Sequence, residues 1–108
     1  MANQSISLDR VFWALGDPTR FAIVEHLSQG SLSVSELAKP FSMALPTFLQ
    51  HLGVLEKYGL VSTKKVGRVR TCTLNAERVD QARTWLEIQE KQWTNRLDAL
   101  DKLLEDKS

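Results

Sequence analysis

The stretch Ser33-Val34-Ser35-Glu36-Leu37-Ala38-Lys39-Pro40-Phe41-Ser42-Met43-Ala44-Leu45-Pro46-Thr47-Phe48-Leu49-Gln50-His51-Leu52-Gly53-Val54-Leu55-Glu56-Lys57-Tyr58-Gly59-Leu60 reads as two helices joined by a tight turn. Ser33 followed three residues later by Glu36 is a capping-box pattern, in which hydroxyl and carboxylate each satisfy a free amide of a starting helix. Pro40 opposes continuation past Lys39, because its ring crowds a helical residue before it. A second helix is expected from about Leu45: Pro46 suits a first turn, where its missing N–H is not needed, and Gly59 suits the C-terminal stop. Phe48, Leu52 and Leu55 recur at four- and three-residue steps and make one buried stripe. Thr47, Gln50, His51 and Val54 are left on other faces. A short capped helix, a turn and a second half-buried helix form the helix-turn-helix pattern, whose second helix enters the major groove of DNA.

The bulk composition fits such a unit. At 108 residues the chain is expected to be one domain, 1–108, with a single core. Its 43% hydrophobic and 25% charged content is that of a globular protein, which argues against disorder. Apolar runs are only a few residues long, so no segment is expected to span a membrane. The first ten residues lack a basic start followed by an apolar core, so no secretory signal is expected and the cytoplasm follows as the expected compartment. One cysteine, Cys72, cannot form an internal disulfide, in agreement with a reducing compartment. The net charge of +1 is unevenly divided: residues 1–75 hold eight Lys/Arg against five Asp/Glu, and 76–108 hold six against eight. A nucleic acid would therefore meet the first two-thirds of the chain.

Upstream of the central stretch, Leu8, Val11, Phe12 and Leu15 follow helical spacing, and Gly16 ends that element. Asp17-Pro18 is a start signal, an acidic cap followed by a residue with helical φ already set. Phe21, Val24 and Leu27 then mark a helix running to about Ser28. Arg20 in its first turn opposes the helix dipole; it reads equally as a phosphate contact or buried ion pair and as a solvated surface arginine.

Downstream, Val61, Thr63, Val66, Val69, Thr71 and Thr73 form a β-branched stretch with Gly67 where a hairpin needs its turn. Lys64, Lys65, Arg68 and Arg70 lie in it without an acid between them. A basic hairpin after a recognition helix reads as a wing; a solvated edge hairpin, with Lys blunting the sheet edge, is the alternative. From Asn75 the pattern becomes one long helix over residues 76–107, with Asn75 as cap and Glu77 in the first turn. Val79, Leu86, Trp93 and Leu100 fall seven apart and Leu97 and Leu104 fill the positions between, a coiled-coil-like seam that Arg83 and Glu90 interrupt. Some thirty residues at about 1.5 Å each make a rod of roughly 45 Å, longer than the preceding short helices can cover. A twofold-symmetric dimer accounts for it more simply than a helix folded back on its own core.

Taken together, Ala14-Leu15-Gly16-Asp17-Pro18-Thr19-Arg20, Ser35-Glu36-Leu37-Ala38, Leu45-Pro46-Thr47-Phe48-Leu49-Gln50-His51-Leu52-Gly53-Val54-Leu55, Tyr58-Gly59-Leu60-Val61 and the run from Trp85-Leu86 to Trp93-Thr94-Asn95-Arg96-Leu97-Asp98 resemble the ArsR/SmtB (arsenic-repressor) family of transcriptional regulators. The resemblance spans nearly the whole chain. It implies a mainly α fold with a small β-hairpin wing, a winged helix-turn-helix of about five helices. It also implies a homodimer, built from the first and last helices, that represses transcription at a near-palindromic operator. Metal sensors of that family carry Cys-Val-Cys where this chain has Ser33-Val34-Ser35, or an Asp/His set on the last helix, where residues 76–108 contain no histidine. Zinc and related ions need thiolates, imidazoles or carboxylates that converge, and Cys72, His26 and His51 are scattered. No metal site, no cofactor and no metal response are expected, and the sequence does not identify a small-molecule inducer. Ala44, Leu49 and Gly53 stand where many relatives carry a serine cap, a polar residue and a cation.

The expected DNA-reading set is Leu45, Thr47, Gln50 and His51, with Lys64, Lys65, Arg68 and Arg70 on the wing. Gln50 can pair bidentately with adenine, Thr47 and Leu45 can meet thymine methyls, and His51 can reach a phosphate. The expected dimer interface is Leu8, Val11, Leu86, Trp93, Leu97, Leu100 and Leu104. The competing reading is a winged-helix protein-interaction module, encouraged by Leu45, Leu49 and Gly53. There is no nucleophile motif, phosphate-binding glycine loop or paired acid and base, so no enzyme is expected.

Overall fold

The computed structural model describes residues 7–106. Helix α1 (Leu8–Leu15) and α2 (Pro18–Leu27) precede a short strand, β1 (Leu32–Ser33). Then come α3 (Val34–Ala38), α4 (Leu45–Lys57), the hairpin β2 (Val61–Val66) and β3 (Val69–Leu74), and the long α5 (Ala76–Asp106). This is the expected mainly α winged helix-turn-helix with five helices among the described residues. Lys107, included in the expected last helix, lies outside them.

The local signals act as their chemistry requires. The Asp17 carboxylate accepts from the amides of Thr19 (2.9 Å) and Arg20 (3.0 Å) at the start of α2. Ser33 and Glu36 close a reciprocal capping box on α3: Glu36 N donates to Ser33 Oγ at 3.1 Å and Ser33 N to Glu36 Oε1 at 3.0 Å. Gly59 has φ +76, and a Cβ there would also lie 3.1 Å from the Arg78 guanidinium, so both backbone and packing call for glycine after α4. Gly67 has φ +63, and among the described residues no non-glycine residue has positive φ. A two-residue loop with glycine first is the arrangement of a type II′ hairpin turn, whose twist matches its strands.

The core is one cluster drawn from all five helices and the hairpin: Val11 and Ala14, Ile23 and Leu27, Leu37, then Phe48, Leu52 and Leu55, then Leu60, Val61, Cys72 and Ala82. Phe48, Leu52 and Leu55 are the stripe expected on α4. Val11 differs from expectation. It is fully buried in the chain's own core cluster, on a helix that packs against α2, α4 and α5, and it has no surface to give to a second copy. Leu8 is half-buried against the same core.

The sheet has the order β1-β3-β2, both pairings antiparallel. Only the β2–β3 hairpin was expected; β1 is two residues long, too short to show a period. It pairs Leu32 with Cys72 and Ser33 with Thr71, so Ser33 ends a strand and caps a helix at once. Within α5, Val79 and Ala82 pack on the body, and Trp85 meets Phe12 of α1 at 5.6 Å between ring centroids. From Arg83 to Glu105 every residue is exposed, including Leu86, Trp93, Leu97, Leu100 and Leu104. The molecule is accordingly drawn out to 70 Å in one dimension against 35 and 21 Å in the others. No helix among the described residues is long and apolar enough to cross a membrane.

Candidate nucleic-acid interface

Helix α4 turns its stripe inward and so presents a defined outer face. At about 100° per residue, Gln50 and Gly53 project away from Phe48, Leu52 and Leu55, with Thr47 and Leu49 to either side; Leu45 shares the phase of the buried stripe but lies in the first turn, and all five are exposed. Leu45 is 53% exposed and Leu49 38%. Gly53 lies in the helix interior with nothing within 4 Å of where its Cβ would be. Packing does not require glycine there, although glycine costs a helix about 1 kcal/mol relative to alanine. The result is a bare patch of backbone at the centre of the exposed face.

His51 is placed differently from expectation. Its Nδ1 lies 3.2 Å from Arg20 Nη1 and 3.6 Å from Asp17 Oδ2. Arginine only donates, so Nδ1 accepts from Arg20 when the ring is neutral, whereas a protonated ring would turn its Nδ1–H to Asp17. The side chain is turned against the start of α2, and this cluster ties the recognition helix to the body. Arg20 is its centre. Only 9% exposed, it also donates through Nε to the Ala14 carbonyl at 2.7 Å and lies under the Trp13 ring, 4.9 Å from its centroid. The solvated reading is overturned by this burial, and the hydrogen-bond partners of the guanidinium are a carbonyl and an imidazole. Asp17 is held below the ordinary carboxylate range, first by the Arg20 amide and further by the His51 and Arg20 charges, against the opposing effect of burial.

On the hairpin, register sorts the cations. Lys65 lies opposite Arg70, Thr63 opposite Cys72, and Lys64 opposite Thr71. Alternation along a strand then puts Thr63, Lys65, Arg70 and Cys72 on one side and Lys64 on the other, while Arg68 sits in the turn. Because Val61 and Cys72 are buried, the first side is the one that faces the body. Arg70 is also engaged: its Nη2 donates to Thr63 Oγ1 at 3.0 Å and lies 3.9 Å from Glu56 Oε2, and Thr63 Oγ1 donates to that carboxylate at 2.9 Å. Four like charges in sequence therefore become Lys64, Lys65 and Arg68 without an acidic partner among the hydrogen bonds and ion pairs found, and an Arg70 answered by Glu56. Sequence reading missed Glu56, because its partner is brought to it only by the hairpin register.

Among the described residues no three His, Cys, Asp or Glu side chains gather as a metal site would need. Ser33 Oγ is occupied by its capping bond, and burial, followed by the Glu56 charge, pushes the Cys72 thiol up. The arrangement offers an exposed helix face beside a basic hairpin, which is equipment for a groove and its phosphates.

Residues 15–63 match the model of a helix-turn-helix domain family. The HTH-type transcriptional regulator Rv2034 of Mycobacterium tuberculosis is 37% identical over 99 residues, covering 92% of this chain and 90% of that protein. The arsenical resistance operon repressor of Staphylococcus xylosus is 33% identical over 75% of this chain and 78% of its own length. A crystal structure of an ArsR family transcriptional regulator superposes with a TM-score of 0.75 at 48% identity, over 81% of this chain and 96% of that one. With the exposed recognition helix, the basic wing and these relatives in agreement, the chain belongs to the ArsR family of winged helix-turn-helix transcriptional regulators, which are not enzymes.

Proposed function

We propose that this protein is a homodimeric repressor that binds a near-palindromic operator as one domain per subunit, in the cytoplasm and without responding to metal. The observation that carries the DNA reading is the side-by-side placement of the exposed α4 face and the cations Lys64, Lys65 and Arg68. The wing lysines and Arg68 hold phosphates or a narrow minor groove. Gln50 reads a base edge, with Leu45 and Thr47 against thymine methyls. His51, engaged with Arg20, positions the helix. The Staphylococcus xylosus relative, named as an operon repressor, supports repression as the output.

Dimerisation follows from α5, whose seam of Leu86, Trp93, Leu97, Leu100 and Leu104 is apolar and uncovered in one chain. The half-buried Leu8 of α1 is assigned to the same interface, and Val11, fully buried in its own chain, is withdrawn from it. Two subunits related by a twofold axis would present two α4 helices to half-sites about 34 Å apart. Metal independence rests on Ser33 and Ser35 in place of thiolates, since hydroxyls do not hold zinc.

The test is to sequence the DNA fragments retained by the purified protein and to titrate binding to a retained fragment with salt. Affinity falling steeply and log-linearly with salt supports the reading. Retention of no fragment, or affinity indifferent to salt, favours a protein-interaction module built on Leu45 and Leu49.

A further inference from the structure

The hairpin changes character partway along its length. Its root is three-stranded, but β1 ends at the Ser33–Thr71 pair, so residues 65–70 form a two-stranded ribbon beyond the last rung. An isolated two-stranded ribbon is only marginally ordered in water. Lys65 and Arg70 are also directly opposed there, a like-charge pair that loosens the ribbon. From this ribbon a hydrogen-bonded chain reaches back through the root of β2 to α4: Arg70 Nη2 donates to Thr63 Oγ1, and the Thr63 hydroxyl spends its single proton on Glu56 Oε2. We propose that Glu56, Thr63 and Arg70 form a strut that sets the wing against the recognition helix, and that Arg70 is a positioning residue rather than a phosphate contact. This rests on the DNA-binding reading above and deepens it. Glu56 draws Arg70 away from Lys65, and Arg70 in turn neutralises a carboxylate that would otherwise face phosphates from the recognition helix. A rigid wing delivers Lys64, Lys65 and Arg68 in register with α4 without ordering them at the moment of binding.

Thr63→Val keeps the β-branched shape and removes the hydroxyl, breaking both hydrogen bonds, and Thr63→Ser restores it. Amide hydrogen exchange of the DNA-free protein and operator affinity across a salt series are measured for both and for Arg70→Ala. In Thr63→Val the amides of residues 65–70 should exchange about fivefold faster or more, with weaker operator binding and an unchanged salt slope, and Thr63→Ser should recover wild-type values. Arg70→Ala should weaken binding with the slope also unchanged. Wild-type exchange in Thr63→Val overturns the strut, as does a slope flattened by about 0.9 per subunit in Arg70→Ala, the signature of a lost phosphate contact. If the wild type binds no DNA, the functional reading fails, and the exchange measurement still decides the strut.

Discussion

Trp93→Ala is the most exposing test of the dimer. Trp93 is 61% exposed in the single chain and lies at the centre of the α5 seam. A tryptophan can cover up to about 250 Å², so on the order of 150 Å² of it awaits a partner. At about 25 cal/mol per Å² this corresponds to roughly 3–4 kcal/mol for each copy. A twofold axis doubles every interface change, because each subunit carries the substitution. Association also costs ordering and lost motion, so only part of the area becomes affinity. Even if half survives, the loss is about 3 kcal/mol per dimer, a dimer Kd raised about a hundredfold or more. Sedimentation equilibrium over a concentration series reads this directly, with circular dichroism to show that the helix is retained. Lys91→Ala, on the opposite side of α5 from the seam, should leave the Kd unchanged. A Trp93→Ala dimer within threefold of wild-type affinity would refute the seam, as would a wild type that is monomeric at micromolar concentration.

The other expectations concern DNA, metal and acid. Lys64→Ala with Lys65→Ala should flatten the slope of log affinity against log salt by about one to two units per subunit; an unchanged slope removes the wing from the DNA. Gln50→Ala should cost about 1–3 kcal/mol at one base pair per half-site, read by binding to a panel of single-base operator variants. His51→Ala should weaken all sequences alike, so a loss confined to one base pair would place His51 at a base edge. Operator affinity should be the same with zinc, cadmium or arsenite as with chelator, and a tenfold metal effect that persists in Cys72→Ser would reveal a site. Asp17 has a folded-state pKa below its ordinary 3.8, so its contribution is present above that value and is lost as pH falls through the lower folded one. Asp17→Ala should therefore destabilise by about 1 kcal/mol near neutrality. Its difference from wild type, read by denaturant titration, should close progressively as pH falls below 4.

The elements most legible in the sequence were those specified locally. Ser33 with Glu36, Asp17 with Pro18, and the Phe48–Leu52–Leu55 stripe each reside within one turn or a few, so spacing alone reveals them. The site was legible as far as its exposed face, since Gln50 and Thr47 follow from the phase of that stripe. What escaped depends on distant pairing. Strand β1 exists because Leu32 and Ser33 meet Cys72 and Thr71, some forty residues away. Arg70 was counted with the wing cations because its neighbours in sequence are basic, while its neighbour in space is Glu56. His51 has helical phase that permits exposure, yet Arg20 and Asp17 turn its ring aside. Val11 fitted an amphipathic α1 whichever partner covered it, and only packing identifies that partner as the same chain.

Gly53 carries a consequence for how such a protein changes. Open space surrounds its missing Cβ, so almost any side chain could be introduced there without moving a core residue. Most would also raise helix stability by up to about 1 kcal/mol. A new residue would project from the same face as Leu49 and Gln50, at the centre of the proposed contact with DNA. On the DNA-binding reading proposed above, one codon there would redirect the protein to a different set of promoters while the fold gains in robustness, so descendants of this chain would acquire new regulons without first passing through a poorly folded ancestor.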